Sequence, residues 1–130
     1  MLSPKLAGKI ILGVLSLVVM FHLSIVIGIV PYEFVWGGKL ASYGDMCIME
    51  TVSISLNIFM IIIVALRLEY LKWNWPVKLL QVFLWIFASL FALNTVGNLF
   101  AETMMETLIF TPLTLVLSFL FFRLAAAKSD

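Results

Sequence analysis

The chain reads as four long apolar runs separated by short polar joints. The runs cover Ile10 to Val30, Met46 to Leu66, Leu79 to Leu99 and Thr107 to Ala127. Each has the roughly 20 mostly apolar residues that an α-helix needs to cross a bilayer. His22 is the one titratable polar group in the first run, Glu50 the one carboxylate in the second, and the third carries no charge. Arg123 lies near the end of the fourth, where a long side chain can reach the interface. The first run exceeds the usual signal-peptide core of about 7–15 residues, and Pro31-Tyr32 follows it instead of an A-x-A-like site. It is therefore read as a retained helix. Pro76 is expected to open the third helix, and Pro112 either to kink the fourth or to sit in its first turn. Short loops make consecutive helices antiparallel neighbours.

Basic residues then give the helices a direction. Lys5, Lys9, Arg67, Lys72, Lys78, Arg123 and Lys128 fall on one side, and only Lys39 on the other. Lys and Arg mark cytoplasmic loops. The expected fold class is an all-α integral membrane protein: four transmembrane helices in an up-down-up-down antiparallel bundle, with both termini cytoplasmic. Residues 1–130 then form a single domain in a multi-pass protein, expected in a bacterial cytoplasmic membrane. Trp36 on the outside and Tyr70, Trp73 and Trp75 on the inside sit where interfacial aromatic belts belong.

Composition removes the other classes. Of 130 residues 64% are apolar and only 12% charged, with a mean hydropathy of +1.18. A soluble domain is about half apolar and a quarter charged, so neither a soluble domain nor a disordered chain fits. The net charge of +1 argues against nucleic acid as a partner. The single cysteine, Cys47, excludes an intrachain disulfide and reads as a small buried apolar residue.

Polar residues inside the runs are where function is sought, because they are costly in hydrocarbon. At the α-helical rise His22 lies about 18 Å into the first span, slightly outward of the midplane, and Glu50 about 6 Å into the second. Glu50, Ser53 and Asn57 share one helix face. Asn94, Asn98, Glu102 and Glu106 form a second stripe, and Thr111, Thr114 and Ser118 a third. All three are richest in the outer half. The joint from Pro31 to Asp45, with Trp36 and the Gly37-Gly38 pair, could roof that half.

The stripes imply a polar pocket between the helices, with His22, Glu50, Asn57, Asn94, Asn98, Glu102 and Trp36 as candidate ligand-contacting residues. The alternative for these residues is interhelical hydrogen bonding. Ser24 with Gly28, and Ala88 with Ala92, read as small-residue pairs that permit close packing. A His among carboxylates can hold a divalent cation, but the Glu-x-x-His spacing of helix-borne di-metal sites is absent. Phosphate-loop and dinucleotide motifs are absent too, and no cofactor is expected. The leading expectation is binding, transport or sensing of a small polar or amphipathic ligand. Its rivals are an accessory subunit of a larger membrane complex, or of a homo-oligomer, and an intramembrane enzyme acting on a lipid-like substrate.

Overall fold

A computed structural model describes residues 2–31, 42–100, 104 and 106–127. The described residues are helical, without strands, and build four helices long and apolar enough to cross a membrane. They are α1 (Pro4–Val26), α2 (Tyr43–Arg67), α3 (Val77–Leu99) and α4 (Thr111–Ala125), the last preceded by a π-helical turn at Glu106–Phe110.

Local chemistry sets the helix ends. Ser3 caps α1 by accepting from the Leu6 amide at 3.1 Å, with Pro4 pre-set for the first turn, so the helix starts six residues before the apolar run. It stops at Val26 because Gly28 adopts φ +90° and the Ile29 and Val30 amides turn back to the Ser24 carbonyl. Gly28 therefore terminates the helix and is not half of a packing pair. Ser42 caps α2 through the Asp45 amide at 3.2 Å, and Asp45 and Arg67 each complement the helix dipole at their own end. Pro76 is the N-cap residue of α3. Pro112 sits in the first turn of α4, directly after the π turn, within a helical span that runs from Thr107 to Ala125.

Packing joins the helices in two hairpins. The N-terminal end of α1 meets the C-terminal end of α2: a Cβ at Gly8 would lie 2.8 Å from Leu68 Cδ1 and Cδ2. Helices α3 and α4 are linked along their length by hydrogen bonds. Gln81 Nε2 donates to the Ala127 carbonyl at 3.1 Å, Ser118 Oγ to the Ala88 carbonyl at 2.8 Å, and Thr95 and Thr114 share a 2.9 Å hydroxyl contact. The three α3 positions, 81, 88 and 95, recur every seven residues, the period that keeps one seam facing a partner helix. Arg123 Nε donates to the Leu2 carbonyl at 2.9 Å and ties α4 to the start of α1.

The main core occupies the half of the bundle near those ends. Ile11 and Leu15, Ile63 and Val64, Leu84 and Phe87, and Phe121 and Leu124 are its buried centre. Phe121 stacks on Phe91 with centroids 5.6 Å apart. Here Phe59 of α2 meets Phe83 and Phe87 of α3 at 5.1 and 5.9 Å. A second, small cluster around Ile25 and Met46 closes the opposite end of the α1–α2 hairpin. Outward-facing positions stay apolar, as with Met20, Ile48 and Phe119, all more than half exposed. Such a surface fits lipid, in which close packing and hydrogen bonds hold helices together.

Gly8 and Gly13 provide a controlled comparison, since nothing lies within 4 Å of a Cβ at Gly13. Gly8→Leu should destabilise the bundle by about 1–3 kcal/mol through overpacking. Gly13→Leu should be neutral or gain up to about 1 kcal/mol of helix propensity. Equilibrium unfolding in mixed detergent micelles measures both, and equal effects would show that the α1–α2 approach is loose.

Candidate functional site: a cleft between the helical hairpins

Away from the Phe59 contacts, α2 and α3 diverge. The space between them is a cleft of about 990 Å³, walled by all four helices. Val52 and Leu56 of α2 and Leu93 of α3 lie on its wall and are exposed, so its mouth faces sideways out of the bundle. Most of the wall is apolar. The polar exceptions are His22, Ser53, Asn57, Asn94, Asn98 and Thr114.

His22 reaches the wall from α1, with its side chain 17% exposed. Its Nδ1 lies 2.5 Å from Glu50 Oε2. One proton sits between these atoms, donated either by the imidazole to a carboxylate or by a carboxylic acid to the imidazole. Glu50 is fully buried and lies behind His22, off the cleft wall. The imidazole is thereby fixed in orientation, and Nε2 has no hydrogen-bond partner among the described residues. The edge of Phe21 packs against the ring at 5.8 Å.

Asn57 lies deeper on α2 and is 8% exposed. Its Nδ2 donates to the Ser53 carbonyl at 2.7 Å, which assigns the other amide atom as oxygen. That atom, Oδ1, is shut off from the cleft by its surroundings and has no hydrogen-bond partner among the described residues. Across the cleft, Asn94 is exposed at the mouth, and Asn98 Nδ2 lies 3.4 Å from Thr114 Oγ1. Thr114 also donates to the Phe110 carbonyl at 2.7 Å, so the π turn and the hydroxyl pair are joined.

The residues expected from the sequence thus separate by place. His22, Asn57, Asn94 and Asn98 share the cleft, and Glu50 supports it from behind. Trp36 and Glu102 lie outside the described residues, as does the side chain of Glu106. Thr95, Gly97 and Phe110 were not singled out by the pattern. Thr95 could have been found from its seven-residue register with Gln81 and Ala88. Among the described residues no three His, Cys, Asp or Glu side chains gather as they would around a metal ion. No known protein family, curated protein or solved structure matches the chain.

The His22–Glu50 contact predicts strong coupling. His22→Leu removes one hydrogen-bond partner from a fully buried carboxyl group and should cost about 1–3 kcal/mol. Adding Glu50→Leu should recover part of that loss, leaving a coupling energy of at least about 1 kcal/mol in the double-mutant cycle. Additive losses would show that the two groups do not depend on each other.

Proposed function

We propose that this protein binds an amphipathic molecule taken up sideways from the bilayer into the cleft between α2 and α3. The supporting observation is the cleft itself: its volume suits a small ligand, its wall is mostly apolar, and a few polar groups converge on it. A solute arriving from water would not need an apolar lateral mouth, whereas a lipid-like molecule can slide in without leaving hydrocarbon. Binding is the first step of transport or sensing as well, and both remain within this reading. The up-down-up-down arrangement with cytoplasmic termini follows from the seven-to-one distribution of basic residues. It places the cleft in the outer half of the membrane. A partner helix seated in the cleft is the competing occupant, and Asn94, exposed at the mouth, is the observation in its favour.

Gly97 offers a direct test. It lines the cleft, and nothing lies within 4 Å of a Cβ built on it. Gly97→Phe should narrow the cleft while leaving the bundle folded. The full chain, in nanodiscs, is photolabelled with a diazirine-bearing long-chain alkyl probe and mapped by peptide mass spectrometry. Label is expected on the peptides spanning residues 52–60 and 90–98, and should fall at least about tenfold in Gly97→Phe. Label spread evenly over lipid-facing residues would overturn the binding reading. A stable second chain in mild detergent, displaced by the same substitution, would favour the partner helix.

Orientation is tested separately. In a Cys47→Ser background, Trp36→Cys should react with an impermeant thiol reagent from the non-cytoplasmic side and Lys72→Cys only from the cytoplasm. The reverse pattern would invert the bundle.

A further inference from the structure

We infer that the ligand is a lipophilic amine, held as its ammonium by the His22–Glu50 pair. The inference rests on the reading of the cleft as a binding site and names the chemical class of its occupant. Glu50 is fully buried behind His22, and His22 is a wall residue with its side chain 17% exposed. Nδ1 is engaged by Glu50, so the imidazole meets the cleft through Nε2. That nitrogen has no hydrogen-bond partner among the described residues and, unlike Asn57 Oδ1, is not sealed off by its surroundings. Glu50 therefore acts on an occupant across the imidazole ring.

The charge balance of the pair selects the amine. A neutral imidazole that donates from Nδ1 to a carboxylate leaves Nε2 as an acceptor and one negative charge behind the wall. An ammonium answers both, since one of its N–H groups donates to Nε2 and its charge offsets that of Glu50. Where Nε2 carries a proton in the empty cleft, a neutral amine takes it. The amine lone pair forms the new N–H bond, the electrons of the Nε2–H bond return to the imidazole, and the same complex results. Both routes end electrically neutral, as burial in an apolar cleft favours. A carboxylate headgroup would instead set two carboxylates about one imidazole, and no Lys or Arg lines the cleft among the described residues. The facing walls add no titratable group: α3 presents Asn94 and Asn98, and α4 presents Thr114. On α2, Asp45 is exposed at the helix start and Cys47 packs against the Ile25–Met46 cluster, while the charges of α1, Lys5 and Lys9, lie at its opposite end. Aromatic rings favour a cation independently. Phe21, Phe91, Phe100 and Phe110 line the cleft, with Phe21 against both the His22 ring and Phe110. The faces of such rings attract ammonium groups.

The test is competition against the photolabelled cleft by four probes of equal chain length, compared at equal content in phosphatidylcholine nanodiscs: hexadecylamine, hexadecyltrimethylammonium, hexadecyl methyl ether and palmitate. In the wild-type chain the amine should displace the label about tenfold more effectively than the ether, the span of one hydrogen bond to a charged group. The quaternary ammonium, which has the charge but no N–H, should be weaker than the amine, and so should palmitate. Two variants separate binding from support of the fold. His22→Gln leaves Glu50 a hydrogen-bonding neighbour but removes the ring nitrogen, and Glu50→Gln removes the charge and keeps the shape. Both should still take up the label and bring the amine-to-ether ratio close to one, whereas a purely structural pair would leave that ratio unchanged and overturn the inference. Ser89→Ala, exposed on α3 and off this wall, should leave the ratio as in the wild type. An amine no better than the ether in the wild type also overturns the inference, as does a quaternary ammonium or a palmitate that equals the amine. These results leave lateral binding intact. Failure of the label to map to the cleft removes the binding reading itself. Should either variant not fold, the wild-type order of the four probes still decides.

Discussion

Hydrocarbon offers no hydrogen bonds, so a polar group within a membrane-spanning helix is costly unless it finds a partner inside the protein. That constraint, more than apolar attraction, decides which helices adhere, because lipid is as apolar as the leucines it touches. The α3–α4 hairpin satisfies it at every second turn, through Gln81, the Ala88 carbonyl and Thr95 on one side and Ala127, Ser118 and Thr114 on the other. In the α1–α2 hairpin His22 pairs with Glu50, and the helices approach closely at Gly8. Between the hairpins, α2 and α3 meet through aromatic rings at Phe59, Phe83 and Phe87. Rings pack without directional bonds, so the two helices can part beyond that point. The cleft begins where they do.

The same constraint makes Asn57 informative. Thr95, Thr114 and Ser118 show that the bundle readily pairs its polar side chains, either across helices or with the carbonyl one turn back. Asn57 has only the second kind of bond and only on one of its two polar atoms.

Much of the architecture was legible in the chain, because run length and hydropathy are properties of sequence alone. The four spans, the place of Pro76 and the first-turn position of Pro112 all follow from local chemistry. Helix ends were less legible. The start of α1 lies outside the apolar run, since Ser3-Pro4 capping is indifferent to hydrophobicity, and its end falls early, because Gly28 turns the chain. Several residues of the polar stripes lie along the cleft, yet their order around the bundle depends on helix rotation. A stripe at intervals of four drifts by about 40° per step. Asn94 consequently stands at the mouth while Asn98 turns toward Thr114. Glu50 and Asn57 occupy one face of α2, but α1 lies against the first and the cleft against the second. Periodicity places residues on a face, and only packing decides what that face meets.

Glycine shows the same division between local and tertiary causes. Gly8, Gly28 and Gly97 each follow an aliphatic residue, Ala7, Ile27 and Val96. Gly8 admits Leu68 and brings two helices together. Gly28 takes a positive φ and ends a helix. Gly97 touches nothing, and its missing side chain is volume in the cleft. A leucine at any of the three would preserve the hydropathy pattern of the chain. At Gly8 it would separate α1 from α2, at Gly28 it would strain the turn, and at Gly97 it would occupy the space offered to a ligand. The composition that directs this chain into a membrane is therefore tolerant, whereas the shape of its cavity depends on the absence of a few atoms at one position of α3.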